Sequence, residues 1–266
     1  MTESSPTAAV LIIGDEVLSG RTQDTNLNTI ARFLAALGID LLEARTVGDR
    51  KGQIVEALNA LRAAHDYVFS TGGIGPTHDD ITADAVATAF GVALPEHPEA
   101  LAILERRYGA EFNAPRRRMA RIPEGGTLIA NPVTDAPGFQ IGNVFVLAGV
   151  PKIMTAMLED VAPRLRTGAV VHARTVRVTG VGEGDVAEML TAAARANREV
   201  SYGSYPFGHG SAGEIGTNLV VRGRDAVKVE AAVVALLADL ETAGIEAHSS
   251  PSRSAGGGRA KRGGGG

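Results

Sequence analysis

Tyr67-Val68-Phe69-Ser70-Thr71-Gly72-Gly73-Ile74-Gly75-Pro76-Thr77-His78-Asp79-Asp80-Ile81-Thr82 is the stretch that decides the fold. It opens with a short apolar and β-branched run, the size of a buried strand. Gly72, Gly73 and Gly75 end that run, and an amphipathic stretch from about Thr82 to Phe90 starts a helix. A strand that passes through a glycine loop into a helix is half of a βαβ unit. Such units build parallel sheets covered by helices on both faces.

The same alternation continues on either side. Ala8–Ile13 predicts a first strand. The helix after it has Asp24 or Thr25 as N-cap, Leu27, Ile30, Leu34 and Leu37 at helical spacing, and Gly38 as its stop. Leu41–Val47 reads as a strand and Gln53–Ala64 as a helix carried by Ile54, Leu58 and Leu61. Beyond the glycine loop come a helix near Pro98–Tyr108, strands at Thr127–Ala130 and Asn143–Ala148, and a helix from Pro151 to Leu165. Residues 8–168 therefore predict one α/β domain with a doubly wound, mostly parallel sheet. From Ala173 the order changes to strand Thr175–Val178, helix Gly184–Ala196, strands Val200–Tyr205 and Thr217–Arg222, and helix Ala226–Ala243. This βαββα pattern predicts a second, smaller α+β domain over residues 169–247, with Val227, Ala231, Val234 and Leu237 of its last helix facing the sheet. Residues 1–7, and the Ser/Gly/Arg mixture from His248 to residue 266, predict a disordered N-terminus and a disordered tail.

The 266 residues carry 26 Lys+Arg against 30 Asp+Glu, a formal charge of −4. Arg253, Arg259, Lys261 and Arg262 put four positive charges and no acid in the tail, so removing them from −4 leaves residues 1–247 at −8. An acidic body with so small a basic tail does not point to nucleic acid as a partner. The absence of cysteine excludes a disulfide scaffold, thiolate metal sites and a cysteine nucleophile. The first ten residues lack a signal-peptide pattern, and no apolar run approaches the roughly 20 residues that span a bilayer. No membrane association and a cytoplasmic location are expected.

In an open parallel sheet, ligands bind beyond the carboxyl ends of the strands. Gly14–Gly20, Thr71–Thr82 and Leu147–Pro151 occupy that edge. A glycine loop ahead of a helix N-terminus exposes backbone N–H groups as a phosphate cradle. The same glycines also suit a plain tight turn in which Thr77, Asp79 or Asp80 caps the helix. Capping needs one acid, however, and a second would repel a phosphate unless a divalent cation joined them. Asp15 and Glu16 offer further carboxylates from the neighbouring loop, or else serve as a turn residue and a solvated acid. Together, Asp15, Glu16, Asp79 and Asp80 form a candidate Mg²⁺ ligand set, with Asp79 or Asp80 as general base. Arg106, Arg107, Arg116, Arg117, Arg118 and Arg121 read either as a diphosphate clamp or as a solvated surface or subunit contact. His78 reads as a loop residue.

Gly14–Gly20 with Asp24-Thr25-Asn26, then Thr71–Thr82, then Asn131–Phe139, then Gly149-Val150-Pro151 strongly resemble the molybdopterin-binding (MoaB/Mog-like) domain of the competence/damage-inducible protein A (CinA) family. The resemblance covers roughly residues 8–165. The second domain resembles the small KH-like module that follows it in that family. A chain whose domains end near residue 247 is expected to lack the C-terminal amidohydrolase domain of full-length CinA, so deamidation of nicotinamide mononucleotide is not implied. The resemblance implies that Thr71, Gly72, Gly73, Gly75 and Thr77 hold a phosphate of a pterin or nucleotide. It also implies that Asp15, Glu16, Asp79 and Asp80 bind metal or orient water, that Asn26 touches the ligand, and that Ala136-Pro137-Gly138 forms a loop at the same mouth. Where many members have Pro-Gly-Val-Pro followed by an acid and Met, this chain has Ala148-Gly149-Val150-Pro151-Lys152-Ile153-Met154, so a carboxylate from that loop is not implied.

Three functions follow from these expectations. The first is metal-dependent hydrolysis of a nucleotide pyrophosphate resembling ADP-ribose or FAD, the class associated with related domains in CinA and in eukaryotic FAD synthase. The second is a molybdopterin carrier or adenylyl transferase of molybdenum-cofactor biosynthesis. The third is a non-catalytic interaction module. A small nucleotide or pterin ligand and Mg²⁺ or a similar cation are expected with the first two, and a homo-oligomer with all three.

Overall fold

The structure is a computed structural model that describes residues 5–208 and 215–251. The chain divides between Gly168 and Ala169 into two units.

The first unit opens with β1 (Thr7–Ile13), in which every residue after Thr7 is buried. Thr7 is already in the strand, so order begins within the stretch expected to be disordered; residues 1–4 lie outside the described residues. Ala9, Leu11 and Ile13 enter one core while Ala8, Val10 and Ile12 enter the other. Burial on both faces is why the strand reads as an unbroken apolar run. After it come α1 (Asp15–Leu18), α2 (Asn26–Ala36), β2 (Asp40–Val47), α3 (Lys51–Ala64), β3 (Tyr67–Thr71) and α4 (Thr82–Phe90). Then follow α5 (Pro98–Tyr108), α6 (Ala114–Arg118), β4 (Thr127–Ile129), β5 (Gly138–Ile141), β6 (Val144–Leu147) and α7 (Pro151–Val161).

The strand order is β2-β1-β3-β6-β5-β4. β1 pairs in parallel with β2 on one side and β3 on the other, so the strand order switches direction there, and β6 runs parallel to β3. β5 and β4 complete the sheet antiparallel. The β1–β2 register slips between Ala8 and Ala9, which pair with Leu41 and Glu43; Leu42 is bulged out and 64% exposed. Ile54, Leu58 and Leu61 of α3 pack with Val86 of α4 in one core. Ile30 and Leu34 of α2 pack with Met154, Met157 and Leu158 of α7 in the other.

The second unit consists of β7 (His172–Thr179), α8 (Glu183–Ala196), β8 (Ser201–Phe207), β9 (Gly216–Gly223), α9 (Ala226–Thr242) and β10 (Ala247–Pro251). Its sheet, in the order β10-β7-β9-β8, is antiparallel throughout. β10 corrects the expected start of the tail, because residues 248–251 pair with β7; residues 252–266 lie outside the described residues. The expected face of the last helix is corrected in part: Leu237 packs against the core as expected, and Val227, Ala231 and Val234 do not. Val229, Ala232, Val233, Leu236 and Leu240 are buried, whereas Val227 and Val234 are 77% and 66% exposed. α9 has two apolar stripes, and the one with two leucines buries more area, which decides its rotation.

Among the described residues no helix is long and apolar enough to cross a membrane.

Candidate functional site

Three loops meet where β1, β3 and β6 end. Gly72 accounts for the closeness of the first two. Its φ of +101° is open mainly to glycine, and a Cβ on it would lie 2.1 Å from the carbonyl oxygen of Ile13 at the end of β1. The third loop is as near, since a Cβ on Gly149 would stand 3.2 Å from the Gly72 Cα. Asn26, at the start of α2, fastens that loop by donating from Nδ2 to the Gly149 carbonyl at 2.7 Å.

The glycine loop is also clamped to its helix. Buried Thr82 donates its hydroxyl to the Gly72 carbonyl at 2.9 Å, and its amide donates to the Gly73 carbonyl at 3.0 Å. Gly73, at φ +66°, leaves room for that hydroxyl, which a Cβ would meet at 2.3 Å. The N-cap of α4 is Ile81, with no side-chain cap, so none of Thr77, Asp79 and Asp80 performs the capping that the plain-turn reading required. Asp80 instead turns back into the loop. Its Oδ2 accepts the Thr77 amide at 2.8 Å and the Thr77 hydroxyl, and stands 2.7 Å from where a Gly75 Cβ would be.

These loops wall a cavity of about 520 Å³. Glu16, Gly72, Gly73, Gly75 and Asp80 all line it, so five of the expected site residues come together. The Glu16 carboxylate lies over Gly14, where a Cβ would approach it to 2.5 Å. Glycines at 14 and 75 thus let a carboxylate close over each loop.

Other expected residues stand elsewhere. Asp15 turns to the end of β2: its amide donates to Asp49 at 2.8 Å, and its carboxylate occupies the space beside Gly48. The side chain of Asp79 is 60% exposed, 3.9 Å from His78. The four acids therefore do not form one cluster, and among the described residues no group of three or more metal-ligating side chains is assembled. Thr71 is buried within β3, Thr77 serves Asp80, and Asn26 braces the third loop. Pro137 lines a small recess beside the cavity. Gly138 belongs to β5, where a Cβ would meet Val146 and Met157 in the core.

Sequence reasoning did not assign Tyr108, Met119 and Ile153, which supply aromatic and apolar wall, or Thr134 and Asn131, which add polar wall. Asn131 also orders its own turn, accepting from the amides of Val133 and Thr134 at 3.1 and 3.2 Å and donating to the Ala136 carbonyl at 2.8 Å. The Asn131-Pro132 turn signal was available for that residue. Nothing local in the sequence distinguishes the wall positions of Tyr108, Met119 and Ile153.

A glycine loop with two carboxylates, beside an apolar wall with one aromatic ring, can hold a ligand that joins phosphate to a flat heterocycle. The family model for a probable molybdopterin binding domain matches residues 9–167, and the model for the middle domain of FAD synthase matches residues 170–249. A CinA-like protein from Desulfovibrio desulfuricans is 38% identical over 189 residues, covering 68% of this chain and 44% of the relative. Another from Citrifermentans bemidjiense is 42% identical over 195 residues, covering 70% and 47%. The chain spans less than half the length of these relatives. The crystal structure of the protein CinA with unknown function from Thermoplasma acidophilum matches with a TM-score of 0.58 at 36% identity, covering 60% of this chain and 98% of that one. The strand order, the loop and the match over residues 9–167 agree: the chain belongs to the CinA-type family of molybdopterin-binding-domain proteins.

Proposed function

We propose that the cavity binds a phosphate-bearing nucleotide or pterin and, with Mg²⁺, hydrolyses a nucleotide pyrophosphate of the ADP-ribose or FAD type. The observation that carries this reading is the presence of Glu16 and Asp80 in one cavity with Gly72, Gly73 and Gly75. Mg²⁺ keeps several waters and uses one or two carboxylates together with ligand phosphates, so this pair suits it without the fuller acid cluster. When bound, the ion supplies charge neutralisation and a more acidic water. The glycine loop holds non-bridging phosphate oxygens through its N–H groups, and Tyr108, Met119 and Ile153 take the heterocycle. Thr77 fixes Oδ2 of Asp80, whose Oδ1 has no hydrogen-bond partner among the described residues and takes the proton of the attacking water. Asp15 and Asp79 have no part in this arrangement.

The test is AMP release from ADP-ribose and from FAD with Mg²⁺, Mn²⁺ or Co²⁺. Asp80→Asn should lower kcat by about 10²- to 10⁴-fold, while Asp79→Asn stays within about threefold, since that side chain points to solvent. Absence of AMP release from the wild type, or full activity in Asp80→Asn, would overturn the hydrolase. The match to a probable molybdopterin binding domain supports a second reading, a pterin carrier or adenylyl transferase at the same cavity. Co-purification of a fluorescent pterin without any hydrolysis would favour it.

A further inference from the structure

The polar wall of the cavity is built on the turn from Asn131 to Ala136, and that turn holds an unfavourable backbone. Among the described residues Asp135, at φ +63°, is the only non-glycine in the left-handed region. A residue with a Cβ persists there where its partners impose it. The Asp135 amide donates to the Asn131 carbonyl at 2.9 Å, and its carboxylate meets Arg107 at 3.6 Å. Arg107 precedes Tyr108 at the end of α5, so the turn is fastened beside the aromatic wall.

Inside the turn, the partners of the Asn131 side chain fix which of its atoms is which. Oδ1 accepts the Val133 and Thr134 amides, so Nδ2 is the atom that donates to the Ala136 carbonyl. The second Nδ2 proton goes to Oγ1 of Thr134 at 2.6 Å. An amide nitrogen cannot accept, so the Thr134 hydroxyl is the acceptor in that bond and its own proton is left over. No group among the described residues takes that proton. Thr134 is half-buried and lines the cavity with Tyr108, Met119 and Ala136. The wall therefore carries a donor whose polarity is set before any ligand arrives. Glu16 and Asp80, when ionised, only accept. Beside an apolar and aromatic wall the acceptor within reach is a ring nitrogen, because phosphate oxygens are served by the N–H groups of the glycine loop.

We propose that Thr134 determines specificity by donating its hydroxyl proton to a ring nitrogen of the ligand's purine, so that the site rejects a purine with C–H at that position. The proposal rests on the nucleotide reading above and names the part of the nucleotide that this turn reads. Asn131 is the positioning residue that sets the hydroxyl's polarity.

The experiment is calorimetric titration of the full chain, with Mg²⁺, using AMP and its 1-deaza, 3-deaza and 7-deaza analogues, each with one ring nitrogen replaced by C–H. The wild type should bind one of the three analogues about 3- to 10-fold more weakly than AMP, the range of one neutral hydrogen bond, and the other two within about twofold. Thr134→Val should weaken AMP by the same about 3- to 10-fold and leave the affected analogue unchanged, since the two losses remove one contact. Thr134→Ser, which keeps the hydroxyl, should bind AMP within about twofold of the wild type. A role confined to bracing the turn predicts that Thr134→Val weakens AMP and all three analogues alike. That result, or no loss for AMP in Thr134→Val, or no weakened analogue in the wild type, would overturn the proposal. The last comparison needs no variant, so the proposal stays exposed even if valine disturbs the turn. Failure of the wild type to bind AMP would instead overturn the nucleotide reading beneath it, and this proposal with it.

Discussion

Gly72 and Gly91 both have positive φ but different surroundings. Gly72→Ala would force a Cβ against the Ile13 carbonyl, whereas a Cβ on Gly91, at φ +67°, meets nothing within 4 Å. Gly72→Ala should cost about 3 kcal/mol or more, from strain and overpacking together, and Gly91→Ala about 1 kcal/mol, as read by urea unfolding. Equal costs would show that the loop yields at Gly72. Thr82→Val removes the buried hydroxyl that serves the Gly72 carbonyl. A loss of about 1–3 kcal/mol is expected, together with weaker nucleotide binding as the loop loosens. At this scale the glycines were legible because their conformational freedom is intrinsic. Which member of Asp79-Asp80, and which of Asp15-Glu16, faces the cavity was not legible. A change in backbone course of one residue exchanges the two, and that course is set by Thr77, Thr82 and Ile13, each a partner made by the fold.

Asp66 shows how a short loop fastens two elements. Its Oδ2 accepts the Thr7 amide at 2.8 Å and the Thr7 hydroxyl at 3.0 Å, so the start of β3 holds the start of β1. The amide bond is the main cause of a carboxyl pKa below the usual 3.8, followed in the same direction by the Thr7 hydroxyl and the Arg166 charge. A carboxylate lowered on folding contributes its stability fully above the unfolded pKa and loses it as pH falls through the folded one. Asp66→Ala should thus cost on the order of 1 kcal/mol at pH 7, a modest value because the group is well solvated, and the gap from wild type should close in acid, as pH falls from 3.8 through the lower pKa of the folded carboxyl. Urea midpoints at pH 7 and in acid decide this; a gap that persists in acid would assign the effect to packing. In α9, Leu236→Ala should cost about 2–5 kcal/mol and Val234→Ala less than about 0.5 kcal/mol, the reverse of what its apolar spacing suggested. Spacing recovered the long helices and the buried parallel strands. It missed β5, because Pro137 and Gly138 read as a turn although Phe139 and Ile141 are core. It also missed α1 and α6, since neither is long enough to show a period.

At the scale of the molecule, the division between Gly168 and Ala169 leaves a complete core on each side, two layers about one sheet in the first unit and a single layer in the second. Every residue lining the candidate cavity belongs to the first unit. Residues 1–168 alone should therefore fold and bind α,β-methylene-ADP, a diphosphate that resists hydrolysis, within about threefold of the full chain in a calorimetric titration with Mg²⁺. Collapse of that affinity would show that the cavity is finished by something outside the first unit. The slipped register in β2 has a different bearing. β2 is the last strand on its side of the sheet, and an uninterrupted eight-residue border would offer its free N–H and C=O groups as a template for another chain. The displaced Leu42 breaks that template near its start, so deleting one residue there would straighten the border and favour edge-to-edge stacking.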